Sequence, residues 1–159
     1  MLRFDNYDIV FQEVPDEITL AINLSNCPNR CKGCHSPHLM EDRGEALDEA
    51  VLAALMKKYG GAITCICFMG GDAAPQEVEQ LAAFVRTTTA CRLKTAWYSG
   101  RQAVPESRFR RHFDYIKLGP YIEELGGLDA AGTNQRFYRI KEDELIDISS
   151  CFRKKTDHR

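Results

Sequence analysis

Three cysteines and a histidine fall within nine positions, 27 to 35, in the run CPNRCKGCH. Exposed thiols at this density invite oxidation unless they serve as metal or redox ligands. Several chemistries could use them. Cys31-Lys32-Gly33-Cys34-His35 has the C-x-x-C-H form of a covalent haem attachment. Cys31 and Cys34 alone could form a redox dithiol, or bind zinc together with His35 or His38. Cys27, Cys31 and Cys34 together could give three thiolates to an iron–sulfur cluster.

Each chemistry makes a demand on the rest of the chain. Structural zinc wants a second pair of ligands elsewhere, and the remaining cysteines, Cys65, Cys67, Cys91 and Cys151, form no turn-borne pair. Covalent haem of this type is attached outside the cytoplasm. The N-terminal run MLRFDNYDIVFQEVPDEITLAINL carries acidic and polar residues every few positions, which interrupts both an export signal and a membrane span. A cytoplasmic protein with no membrane segment is therefore expected, and seven cysteines in a reducing compartment are not expected to form a disulfide framework. Lys and Arg total 21 against 23 Asp and Glu, a balance that gives no reason to expect nucleic acid as a partner. At 159 residues with 44% hydrophobic content, one domain over 1–152 with a charged tail over 153–159 is expected.

The elements that would position the cysteines follow from periodicity. EITLAINL, 17 to 24, reads as a strand entering a buried sheet, and the cysteine loop follows it directly. EALDEAVLAALMKKY, 45 to 59, sets Leu47, Val51, Leu55 and Met56 at helical spacing and stops at Gly60 and Gly61. AITCICFMGGD, 62 to 72, is a central strand with a tight glycine turn, and Cys65 and Cys67 share one face of it as core residues. Pro75 opens a helix over 75–88. A strand at 92–98, a short helix at 104–113, a strand at 114–119, a long loop at 120–133 and a last strand at 134–140 complete the reading.

Alternating strands and helices predict an α/β protein with a parallel sheet, open or closed only in part like a fragment of a βα barrel. Ligands then belong at the carboxyl ends of the strands. The cysteine loop, GGD, YSG and GPY each follow one strand, so the unusual residues converge on one edge. A cubane cluster held there by three thiolates keeps one iron open to a substrate.

The C-x3-C-x2-C spacing after the first strand of an α/β protein resembles the radical S-adenosylmethionine superfamily. The resemblance implies an incomplete βα barrel, a [4Fe-4S] cluster on Cys27, Cys31 and Cys34, and S-adenosyl-L-methionine chelated by the open iron. It implies that Gly33, Cys34 and His35 approach the adenine. It also implies that Gly70, Gly71 and Asp72 (MGGDA, with aspartate where the superfamily has glutamate) lie along the methionine end. Within the superfamily, CKGCHSP, WYSG, GPYIEEL and GTNQRFYRI are similar to the activating proteins of anaerobic ribonucleoside-triphosphate reductases, over about residues 19–140. That likeness implies an oxidoreductase that generates a glycyl radical on the large catalytic subunit of the reductase, with a flavodoxin-like electron donor. Ser99 and Gly100 are then placed near the cofactor, and Asn134, Gln135 and Arg136 line the active site or the partner surface. Two other readings stay open at this stage. One is a radical enzyme for another glycyl-radical enzyme or a small molecule, and the other is a zinc- or iron-binding interaction module.

Overall fold

The computed structural model describes residues 2–25, 27–29, 37–41, 43–89 and 92–153. Its backbone is one open eight-stranded sheet. In chain order the strands are β1 (Arg3–Val10), β2 (Thr19–Leu24), β3 (Glu45–Ala46), β4 (Cys65–Met69), β5 (Lys94–Tyr98), β6 (Tyr115–Leu118), β7 (Arg136–Lys141) and β8 (Glu144–Asp147). Their order across the sheet is β3-β1-β2-β4-β5-β6-β7-β8. The four central strands, β2, β4, β5 and β6, run parallel and lie side by side in the order in which these four occur in the chain, while β3 pairs with β1 at the edge. Antiparallel strands flank them on both sides, so the sheet is mixed where the alternation of elements predicts a parallel one.

The two α-helices among the described residues lie in the crossovers. Helix α1 (Glu49–Tyr59) joins β2 to β4, and α2 (Pro75–Thr88) joins β4 to β5. The periodicity predicts a first helix from residue 45, but Glu45–Ala46 pair with Phe4 and Arg3 instead. The helix starts where a cap is available: Asp48 Oδ1 accepts from Val51 N at 2.9 Å. Helix α2 begins at Pro75, as expected, because its first turn needs no proline N–H. The short helix expected over 104–113 is a 3₁₀ segment, Ser107–His112, whose Phe109 is buried. A stretch this short gains too few hydrogen bonds to propagate as α-helix. No helix among the described residues is long and apolar enough to cross a membrane.

Side chains alternate between two faces of the central strands. Leu20, Ile22, Leu24, Ile66, Phe68, Trp97, Ile116 and Leu118 point to the helical face and meet Leu52, Leu55, Val78, Leu81 and Val85 of the helices. Trp97 stacks between Phe109 and Phe113, with ring centroids 6.0 and 5.6 Å away. On the opposite face Cys65, Cys67 and Ala96 pack with Val14, Tyr115 and Phe137 in a smaller cluster. Cys65 and Cys67 are both fully buried, side by side on this face, as expected of core residues.

At the amino ends of the central strands one buried carboxylate ties four segments together. Glu17 accepts from Thr64 Oγ1 at 2.6 Å, from Lys94 Nζ at 2.6 Å and from Tyr115 OH at 3.3 Å. The hydrogen bond to Glu17 is also what raises the pKa of Lys94. Replacing Glu17 with alanine leaves three donors without their acceptor, at a cost of about 2 kcal/mol. In urea, Glu17→Ala is expected to lower the unfolding midpoint with an unchanged slope.

Candidate iron–sulfur site

The cysteine loop leaves the carboxyl end of β2 and is closed at its base by short hydrogen bonds. Ser25 N donates to Arg3 O at 2.9 Å, Cys27 N to Leu39 O at 2.8 Å, and Arg43 N to Ser25 Oγ at 3.3 Å. Ser25 and Arg43 thus lie together beside the Arg3 backbone at this edge of the sheet. Cys27 is half-buried and, among the described residues, a free thiol. Cys31, Gly33, Cys34 and His35 lie outside the described residues.

The GGD turn follows β4. Gly70 and Gly71 have φ of 105° and 87°, a left-handed region in which side chains are strained. A Cβ on Gly71 would also fall 2.5 Å from Val78 Cγ2 and 2.9 Å from Leu24 Cδ1. The turn is pinned to β5: Gly70 N donates to Tyr98 O at 2.9 Å, and Trp97 Nε1 donates to Gly70 O at 2.7 Å. These contacts deliver Asp72 to the carboxyl edge with only 7% of its surface exposed.

There the turns meet. Asp72 Oδ1 accepts from Ser99 Oγ at 2.6 Å, and Asp72 Oδ2 accepts from Gly100 N at 2.8 Å and from Asn29 Nδ2 at 2.6 Å. Asn29 belongs to the cysteine loop, and its Nδ2 also lies 3.6 Å from Cys27 Sγ, as donor to a sulfur acceptor. One carboxylate therefore joins the loops after β2, β4 and β5. Ser99 is itself buried, and its backbone N–H donates to Lys117 O at 2.9 Å, which extends the connection to β6.

Next to this cluster is a cavity of about 420 Å³, lined by Tyr98, Lys117, Tyr121, Leu128, Gln135 and Phe152 among others. Lys117 is buried and donates to Ser99 O at 3.2 Å and Gly119 O at 2.9 Å, so it stands between the cavity and the Asp72 cluster. Of the 134–136 run, Gln135 is buried and faces this cavity, whereas Asn134 and Arg136 line a second one of about 280 Å³ with Gly119 and Leu118. Asn134 Nδ2 donates to Pro120 O at 3.0 Å. Two members of the site had no role in the sequence reading. Lys117 could have been found as the one charge in the apolar strand YIKL, and Asn29 as the only amide lying between two of the clustered cysteines.

The cysteines separate by environment. Burial, and next the Glu17 carboxylate, push the Cys65 thiol well above its ordinary range, and burial does the same to Cys67. Both therefore stay protonated thiols, which are poor metal ligands. Cys27, by contrast, is partly open and has an N–H donor on its sulfur, which suits a thiolate ligand of a cluster. In cluster-free native protein at mild alkaline pH, iodoacetamide is expected to modify Cys27 and the exposed Cys151 but not Cys65 or Cys67 until denaturant is added. Cys65→Ala is expected to leave iron uptake unchanged and lower stability by about 1 kcal/mol.

Neither a curated protein nor a solved structure matches the chain significantly. The sequence profile of the 4Fe-4S single cluster domain family matches residues 18–108, from the first residues before β2 to the 3₁₀ segment after β5. That span contains the cysteine loop, the GGD turn and Ser99–Gly100, the segments that Asp72 joins. The chain belongs to the 4Fe-4S single cluster domain family.

Proposed function

We propose that this iron–sulfur protein is a radical S-adenosylmethionine activating enzyme. In this reading it cleaves S-adenosyl-L-methionine reductively and generates a glycyl radical on the large catalytic subunit of an anaerobic ribonucleoside-triphosphate reductase, with a flavodoxin-like protein as electron donor. The observation that carries the reading is the convergence at Asp72: the cysteine loop, the GGD turn and the YSG turn share one carboxylate at the carboxyl ends of parallel strands. Those are the segments that the resemblance to the superfamily assigns to cluster and cofactor.

Cys27, Cys31 and Cys34 would hold the cluster. When bound, a reduced cluster with S-adenosylmethionine on its open iron supplies one-electron cleavage of the sulfonium and a carbon-centred radical that removes a hydrogen atom from the substrate. The remaining work belongs to the chain. Gly70 and Gly71, held by Trp97 and Tyr98, let the backbone turn through positive φ against Leu24 and Val78 and so set Asp72 at the edge. Asp72 keeps an acceptor position on Oδ1 for the amino group of the methionine end, since a carboxylate oxygen has two lone pairs and, among the described residues, Oδ1 accepts from Ser99 Oγ alone. Gly33, Cys34 and His35 are assigned to the adenine by the resemblance alone. Fully buried Cys65, Cys67 and Ala96, packed with Val14, Tyr115 and Phe137, make an apolar floor below the edge. Helices α1 and α2 cover only the other face. The sheet, in this reading an incomplete βα barrel, thus leaves a broad approach for a protein substrate, where a small molecule would favour a closed pocket.

The test combines reconstituted, reduced protein with S-adenosylmethionine and the cognate reductase, and follows the electron paramagnetic resonance spectrum. A glycyl-radical doublet on the reductase is expected, with 5′-deoxyadenosine as coproduct. A doublet only on another glycyl-radical enzyme changes the partner, and 5′-deoxyadenosine that never forms rejects radical chemistry. Alanine at Cys27, Cys31 or Cys34 is expected to reduce 5′-deoxyadenosine formation by at least about a hundredfold, in proportion to lost cluster.

A further inference from the structure

The Asn29 side chain offers one amide nitrogen with two N–H donors. Its nitrogen lies 2.6 Å from Asp72 Oδ2 and 3.6 Å from Cys27 Sγ, so a single group can serve the carboxylate and the sulfur together. The carboxylate that anchors it is fixed in turn by Ser99 Oγ and Gly100 N at 2.6 and 2.8 Å. Gly100 also supplies the space, since a Cβ there would fall 2.4 Å from Asn29 Nδ2. The amide is therefore held from the sheet side, and its freedom to turn away from the sulfur is small.

We infer that Asn29 is a positioning residue for the cluster: clamped by Asp72, its amide donates to the sulfur of Cys27 and raises the cluster's reduction potential. The inference rests on Cys27 as a cluster ligand, not on S-adenosylmethionine. Its physical basis is charge. A cluster gains one negative charge on reduction, part of it carried by the coordinated sulfurs, so an N–H donor to such a sulfur binds the reduced form more strongly than the oxidised form. Hydrogen bonds to the ligands of a metal site also fix their orientation, which adds a geometric effect to the electronic one. A buried carboxylate on the amide suits this arrangement, because it holds the donor in place.

Asn29→Leu keeps much of the bulk and loses both donors, and Asn29→Ala loses bulk as well. Potentiometric titration of the reconstituted proteins, without S-adenosylmethionine, reads the effect. Both variants are expected to shift the ratio of reduced to oxidised cluster about tenfold toward oxidised at fixed poise, a fall of about 59 mV for one electron. Ser99→Ala, which leaves the Asn29 amide in place, is expected to shift the ratio less. Variants with full iron and an unmoved potential overturn the proposal and reduce Asn29 to a loop anchor. If the variants lose the cluster, wild-type protein carrying side-chain-labelled heavy-nitrogen asparagine decides. A nuclear coupling between the label and the reduced cluster is expected, and its absence overturns the proposal. Wild-type protein that takes up no cluster at all would instead overturn the assignment of Cys27 beneath it.

Discussion

A carboxylate withdrawn from water must be repaid in hydrogen bonds, and Asp72 is the place where this chain meets that constraint. Its donors come from Asn29, Ser99 and Gly100, which belong to two other connections of the sheet. Leaving any one of them out would expose a buried charge to an apolar surrounding. The cysteine loop and the turn after β5 are therefore held in register with β4. The glycines before Asp72 make the geometry possible, because the chain must pass through positive φ twice and then slip between Leu24 and Val78. Trp97 locks the turn from the helical side.

The two faces of the sheet divide the labour. Aromatic and branched aliphatic residues fill the helical face, where Trp97, Phe109 and Phe113 stack and fix the crossovers. Small residues, Cys65, Cys67 and Ala96, occupy the centre of the other face, and the aromatic residues there, Tyr98, Tyr115 and Phe137, stand toward β5, β6 and β7. That gradient leaves room beside the carboxyl ends, and Lys117 connects the room to Ser99 and so to Asp72. Glu17 performs the corresponding binding together at the amino ends. A sheet clamped at both ends by buried carboxylates is a stiff mount for a cofactor whose chemistry, in the proposed activity, depends on short and constant distances.

Much of the centre was legible in the sequence because its signals were strong and local. The short apolar run CICFM before two glycines reads as a buried strand, Pro75 marks a helix start, and glycine pairs mark the turns. The flanks were not. Strand β1 reads RFDNYDIV, with Asp and Asn at positions that propensity disfavours, and it exists because β2 offers an edge and Tyr7 packs against Tyr59. Strand β8 follows a hairpin turn at Glu142 and Asp143, both at positive φ, where the usual Asn-Gly signal is missing. The start of α1 was misplaced by one turn because Leu47 fits a helical stripe equally well, and a strand pairing with Arg3 and Phe4 claimed the preceding residues. In the site, residue types pointed to the cysteines and the GGD turn, but not to Asn29. Its place between two of the clustered cysteines was the one signal for it, and the approach of Asp72 and Cys27 gives it a purpose.

The proposed function stands on one chemical claim: the loop after β2 would hold a cluster with one iron that no side chain satisfies, open to the amino and carboxylate groups of a sulfonium nucleoside. Mössbauer spectroscopy of the iron-enriched protein, before and after S-adenosylmethionine is added, addresses that vacancy most directly. The account predicts a single iron site whose isomer shift moves on addition while the others stay fixed. A spectrum in which every iron is already equivalent, and none responds, would contradict it.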